Sequence, residues 1–466
     1  MLPSSASYEV DCESYNPVFD GARPKAIAYV AVSSDVSEMV AFARAHGLLL
    51  SVRSGGHSYG GWSTGPGLVV DVSLMNGVSV AAGAAPAASI GAGARLVDLY
   101  ATCGAKGLSV PGGSCPSVGV AGLALGGGLG VLDRRYGLTC DNLTSIDIVL
   151  ASGEQVTCDA RSHPDLFWAL RGAGGGSFGV VTGFRANAHP IGDLAIFTLV
   201  WDWSAAEEVV QAWQRWAPTA PDALWSNCLL LASQTTPSGE GAVARVTGVY
   251  VGSESDLESE LSGLLSEVPA SPFDHFVGSA PYLDTMLIEA GCDGKSVAEC
   301  HLPTANQSGT LTRAPFAAKS DIVTTLVPGA GVRAMLAAVQ ARQVSPTLSG
   351  GGIALDPAGG AINRVPADAT AFVHRNALFT MQYSANWPTG AAGALVAANR
   401  SWLQQAWSSM RAYVSGQAYQ NYADPALQGW ARAYYGTNLS RLVEVKRNYD
   451  PKNVFRFAQS VPLQLA

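Results

Sequence analysis

Three glycine-rich runs, far apart in the chain, constrain its fold more than any other feature: RSGGHSYGG (53–61), PGGSCPSVGVAGLALGGGLG (111–130) and GAGGGSFGVV (172–181). Glycine gives up more conformational freedom on folding than any other residue and brings no side chain to pack. Such runs persist where backbone amides must come close to an anion, as a pyrophosphate requires. The first run follows Leu48 to Val52, which reads as a buried strand, so a strand feeds the loop. His57 places a nucleophilic ring nitrogen in that turn, although a tight turn with a surface histidine has the same composition. Cys115 lies between two glycine runs that deny it the neighbours a core cysteine packs against, which favours a reactive thiol over a small hydrophobic filler. The third run lacks the lysine and Ser/Thr of a P-loop and departs from the dinucleotide fingerprint of a Rossmann fold.

The rest of the sequence sets the scale. At 466 residues the chain exceeds the size at which one hydrophobic core stops growing, so two domains are expected. With 48% hydrophobic and 14% charged residues it reads as a compact, enzyme-like globule. A net charge of −8 without a Lys/Arg cluster argues against nucleic acid or an anionic membrane as partner. The expected partner is a small molecule, met by a monomer. No run reaches the roughly 18 apolar residues needed to span a bilayer. The opening MLPSSASYEVDC has neither a basic nor an apolar signal region, so the protein is cytoplasmic, or secreted if a signal is missing from this chain. Of eight cysteines, Cys292 and Cys300 are the best disulfide candidates, with two unpaired thiols as the alternative. The histidines other than His57 are scattered without metal-ligand spacing, so no metal site is expected, and His374 reads as structural.

Hydrophobic periodicity predicts an α+β chain. A helix is expected over Val36 to His46 with a stop at Gly47, strands over Leu68 to Val72 and Ala87 to Ala92, a helix over Arg95 to Gly104, and strands over Ser145 to Leu150 and Gln155 to Cys158. From Ile196 a second sheet begins, with a helix over Ala205 to Trp216 and strands over Leu229 to Ala232, Ala244 to Val251, Ala371 to His374 and Leu378 to Trp387. A long helix is expected from Gly393 to Val414. Boundaries fall near 190 and 415, dividing the chain into 1–190, 191–415 and a C-terminal segment 416–466 that returns to the first part.

These motifs resemble those of the berberine bridge enzyme-like oxidases of the vanillyl-alcohol oxidase superfamily. RSGGHSYGG is similar to the family's histidyl-flavin motif, PGGSCPSVGVAGLALGGGLG to its cysteinyl-flavin motif, and YYGTNLSRLVEVKRNYDPKNVFRF (434–457) to its C-terminal signature. The resemblance implies a two-part PCMH-type FAD-binding domain and a substrate domain with an antiparallel sheet covered by helices. It implies FAD attached through its 8α-methyl carbon to His57 and through C6 to Cys115. Its pyrophosphate and ribityl chain would be held by Arg53, Ser54, Gly55, Gly56 and Ser58, by Gly112, Gly113, Ser114, Val118, Gly119 and Gly122, and by Gly175, Gly176, Phe178, Gly179 and Val180. Leu123 and Leu125 stand where many members carry a histidine and a serine, so those two contacts to the cofactor are not expected here.

Tyr422 matches the tyrosine that faces the flavin in the family, where it acts as substrate base. A phenol with a pKa near 10 is a poor base at neutral pH, so a nearby cation is expected to lower it. Tyr419 is a weaker candidate for substrate contact. On the strand Leu378 to Trp387, positions 380 and 382 share a face, which makes Thr380 and Gln382 further candidates. Val118 stands three residues after the cysteinyl ligand, where oxygen-reactive relatives carry valine. The resemblance implies oxidation of an alcohol on a sugar or oligosaccharide by molecular oxygen with release of hydrogen peroxide. A tailoring oxidase or oxidative cyclase of a secondary metabolite, and a non-catalytic flavin-binding protein, are the alternatives.

Overall fold

A computed structural model describes residues 1–345 and 348–465. The helix Ser33–Ala45 buries Val36, Val40 and Ala43 and stops at Gly47, whose φ of +61° costs glycine nothing. It is the crossover that a parallel sheet requires. Ala26–Tyr29 and Leu50–Arg53 each pair in parallel with Leu68–Asp71 between them. At the end of this sheet Arg53 ion-pairs with Asp71, the last residue of the central strand. The first glycine run therefore leaves the sheet from a fixed point.

A five-stranded antiparallel sheet follows, in the order Val78–Ala81, Ala87–Gly91, Gly179–Asn187, Leu143–Leu150, Gln155–Asp159. Its central strand begins where the third glycine run ends. A larger antiparallel sheet has seven strands, in the order Asp274–Ala280, Leu194–Asp202, Gly239–Tyr250, Leu224–Thr236, Ser349–Pro357, Phe379–Asn386, Phe316–Val323. Its strands alternate with period two. Phe379, Met381 and Tyr383 enter an apolar layer with Trp213, Met335 and Trp402 from the helices Ala206–Trp216, Gly329–Gln343 and Gly393–Ser409, while Thr380 and Gln382 take the other face. One apolar cluster gathers mainly residues from Val30 to Ile196 with Ala418 to Val461. A second gathers Ala195 to Met410.

Two expected elements differ. Ala371 to His374 is not a strand: the amides of Ala371 and Phe372 donate to the carbonyls of Trp168 and Arg171, both at 3.2 Å. The segment thus caps the end of the helix Pro164–Ala169, satisfying carbonyls that a helix C-terminus leaves open. The long helix ends at Ser409 rather than Val414. Beyond it Arg411 turns inward to ion-pair with Asp321, and Ser415 and Gln417 exchange backbone hydrogen bonds with Ile322, covering the open edge of the seven-stranded sheet. Cys292 and Cys300 form a disulfide. No helix among the described residues is long and apolar enough to cross a membrane.

The C-terminal segment folds back onto the third glycine run. In the helix Leu439–Tyr449, Lys446 is fully buried and donates to Asp450 at 2.7 Å, to the carbonyl of Ser177 at 2.6 Å and to that of Phe455 at 2.6 Å. Asp450 in turn accepts from the amides of Val454 and Phe455. The pair ties the glycine loop to the last helix from inside the core. Removing one partner leaves the other as an uncompensated buried charge, so Lys446→Met is expected to lower unfolding free energy by about 3–5 kcal/mol, read by denaturant titration.

Candidate active site

Between the glycine loops and the uncovered face of the seven-stranded sheet lies a cavity of about 750 Å³, within the range of roughly 300–1,000 Å³ usual for small-molecule sites. On the loop side the backbone makes the wall. A Cβ on Gly55 would overlap the backbone of Gly119, and one on Gly130 would overlap the carbonyl of Gly112. The first approach locks the first and second runs together, and the other folds the second run onto itself. Gly122 and Gly174, also on the wall, have no atom of a neighbouring segment within 4 Å of where a Cβ would stand. Beneath Gly55 the guanidinium of Arg95 is buried, with its Nη1 lacking a hydrogen-bond partner.

His57 lies in this wall with its ring stacked on Tyr15 at 3.7 Å between centroids and its Nε2 3.0 Å from Ser117 Oγ. Burial, then the charge of Arg95, drives its pKa down to about 3. The imidazole is neutral and nucleophilic at any ordinary pH. The thiol of Cys115 is open to the cavity yet enclosed by protein, and burial pushes its pKa up. Ser54, Ser58, Gly56, Gly113, Ser114 and Val118 line the same wall, as do Gly175, Gly176 and Gly179 of the third run. Leu123 and Leu125 line it too and make that stretch of the wall apolar.

Six residues expected at the site sit behind the wall. Arg53 is turned to Asp71 and to the carbonyl of Asp11, and Gly112 backs onto Tyr100. Phe178 and Val180 are core. Thr380 is buried in the sheet, opposite Asp356 and Ile322. Tyr419 is buried and spends its hydroxyl on the amide of Gly128 at 3.0 Å.

The sheet side is built from side chains. Register places Thr198, Thr247 and Asn227 in one cross-strand row, and Arg245, Leu229, Ala354 and Gln382 in the next; all seven line the cavity. Asp356 joins the first row through a hydrogen bond with Asn227, and burial raises its pKa to about 7 against that bond. Tyr422 faces it from the short helical turn Gln420–Tyr422. Its phenol is pushed well above the usual value, by burial first and then by Asp356 and Tyr59. The expected cation beside Tyr422 is absent from the groups that act on it. Tyr59 stacks on Tyr422 at 5.4 Å, and its hydroxyl accepts from Gln382 Nε2 at 3.0 Å.

Several residues here escaped sequence reading: Asp356, Asn227, Arg245, Thr247, Tyr59, Ser117 and Arg95. Asp356 had a signal, since Ile353 and Leu355 alternate inward beside it. Arg245 and Asn227 had none: they lie on a directly paired hairpin, and only the folding of the whole sheet turns its face toward the glycine loops.

Glycine loops whose missing side chains leave room, an unpartnered buried guanidinium beneath them, a neutral imidazole and an accessible thiol fit a flavin dinucleotide. The fold and site define an FAD-dependent oxidoreductase. Residues 24–159 match the FAD binding domain family model, and residues 418–462 match the berberine and berberine-like family. The chain is 32% identical to the FAD-linked oxidoreductase YgaK of Bacillus subtilis (strain 168), over 94% of this chain and 91% of that protein. It superposes on Physcomitrella patens BBE-like 1 with a TM-score of 0.89 at 31% identity, covering 100% of this chain and 97% of that one. A chitooligosaccharide oxidase gives a TM-score of 0.85 at 25% identity, covering 99% and 96%. The chain belongs to the berberine bridge enzyme-like family of FAD-linked oxidoreductases.

Gly122 tests the cradle. In Gly122→Leu the new Cβ meets open space, so stability of the flavin-free protein should hold or rise by about 1 kcal/mol from helix propensity. The side chain would occupy cofactor space. Purified protein is expected to lose most of its flavin absorbance at unchanged melting behaviour.

Proposed function

We propose that this protein holds FAD covalently through His57 and Cys115 and oxidises an alcohol group of a sugar or oligosaccharide, with oxygen as acceptor and hydrogen peroxide as product. The FAD-binding part would comprise 1–190 and 416–466, and the substrate part 191–415. The observation that carries the reading is Asp356, a cavity carboxylate with a pKa of about 7, set beside Tyr422 on a hydrogen-bonding sheet face. When bound, FAD would supply the two-electron acceptor for the carbinol carbon and the route of those electrons to oxygen.

The chain's own residues do the rest. A phenol well above its usual pKa does not give up its proton alone, so Tyr422 orients the substrate hydroxyl and the carboxylate of Asp356 takes the proton, directly or through the phenol. Arg245 adds a donor and Asn227 an acceptor on the same face. Each has a buried polar atom without a partner, the Nε of Arg245 and the Oδ1 of Asn227, and a polyol offers both donors and acceptors to satisfy them. The chitooligosaccharide oxidase among the structural relatives supports a sugar over a secondary metabolite.

An anaerobic panel of mono- and oligosaccharides against phenolic and polyketide alcohols tests the substrate class: sugars should bleach the flavin, and bleaching confined to the other alcohols would overturn it. With an active sugar, the reduction rate should rise with pH as Asp356 ionises, falling about tenfold per unit below pH 7, and Asp356→Asn should abolish that limb. Tyr422→Phe should slow reduction by roughly 100- to 10,000-fold while retaining covalent FAD; a rate within about threefold of the parent would leave Asp356 to act without it.

Oxygen has its own test. Val118 lines the cavity, and Val118→Leu should slow reoxidation of reduced flavin by oxygen in stopped flow while leaving reduction by substrate nearly unchanged.

A further inference from the structure

We infer that Ser117 selects the nitrogen of His57 that bonds the flavin: by accepting the Nε2 proton it leaves the lone pair on Nδ1. The inference rests on the covalent reading above. Ser117 is 5% exposed, and its Oγ lies 3.0 Å from His57 Nε2. Its backbone also offers a hydrogen bond that favours a protonated ring, so one residue presents two acceptors to the imidazole. Tyr15 covers a face of the ring at an interplanar angle of 18°, which limits its rotation. A neutral imidazole has one proton and one lone pair, and the second ring nitrogen is fixed by what the first one does. Donation from Nε2 to Ser117 makes Nδ1 the nucleophile.

The attachment balances as follows. The Nδ1–C8α bond forms, a methyl C–H bond and the Nε2–H bond are given up, and the two electrons released enter the isoalloxazine with both protons. Molecular oxygen then takes two electrons and two protons and leaves as hydrogen peroxide. Positive charge develops on the imidazole when Nδ1 attacks. Ser117 stabilises that charge through the Nε2–H it accepts, and the proton departs afterwards.

Cys115→Ala removes the second tether, so flavin that survives denaturation reports on His57 alone. Full-length protein produced without flavin is mixed with FAD. Non-covalent binding is confirmed by quenching of FAD fluorescence, and covalent flavin is followed on denaturing gels. The attached histidine is isolated by digestion, and its substituted nitrogen is assigned by NMR. Adding Ser117→Ala to Cys115→Ala should slow attachment roughly tenfold to a hundredfold, as expected for a lost hydrogen bond to a developing charge. It should also yield a mixture of the two nitrogen isomers. Ser117→Thr, which keeps the hydroxyl, should restore the rate and the single isomer. An unchanged rate with one isomer in the Ala variant, or a Thr variant as slow as Ala, would overturn the role of Ser117. Release of all flavin from Cys115→Ala alone would overturn the histidyl tether, and this inference with it.

Discussion

Gly55 and Gly119 approach so closely that neither tolerates a Cβ, and the arrangement of the site depends on that approach. It joins two loops from distant parts of the sequence into one backbone unit. The lock is extended by an isolated bridge between Arg95 and Gly119 and by the amides of Leu96 and Val120, which donate to Val118 and Ala94 at 3.0 and 2.9 Å. His57 and Ser117 come within hydrogen-bonding distance because their loops are held this way, and Arg95 is trapped beneath them. Side chains at those glycines would part the loops and separate the groups that meet across them.

The opposite wall follows a different logic. The seven-stranded sheet has its apolar face buried under helices, so every second residue is free to carry chemistry without disturbing the core. Its edge strand Phe316–Val323 grips the C-terminal segment: Lys319 ion-pairs with Asp424, with Trp407 against its ammonium, and Ser320 accepts from the amide of Tyr419 at 3.0 Å. Tyr422 lies between these two anchors. Its position is set by the sheet it faces, although it belongs to a segment that packs mainly with the first core.

The cradle was legible in the sequence because its signal is local. Consecutive glycines, a histidine and a cysteine within short runs need no knowledge of the partner loop. The sheet wall was less legible. Gln382 could be placed by alternation within its own strand, but its place in one row with Arg245 depends on the register of three strand pairs. Thr380 shares the face of Gln382 and still misses the cavity, since alternation gives a face and not the rim of a pocket. Asp356 comes from the strand beside that of Gln382, and only the pairing of the two strands brings it to the same wall. Ala371 to His374 has strand composition, but its amides serve the end of a helix some 200 residues earlier in the chain, a tertiary demand that composition does not carry.

Burial suppresses charge throughout the cavity. His57 is held neutral, Tyr422 and Tyr59 are held as phenols, and the carboxyls of Asp356 and Glu289 are both raised to about 7. In such surroundings each hydrogen bond weighs more than it would in water, and the location of a proton is set by which acceptor lies within reach. On the proposed reading, Ser117 can therefore govern the reactivity of His57 without a charge of its own, and Asp356 that of Tyr422 once it ionises. The two walls divide the work along the same line. One recognises its ligand through backbone amides, which tolerate little change in sequence, while the other uses outward side chains of a sheet, which can be exchanged one at a time. Substrate preference can therefore shift across such a family while the cofactor cradle stays fixed.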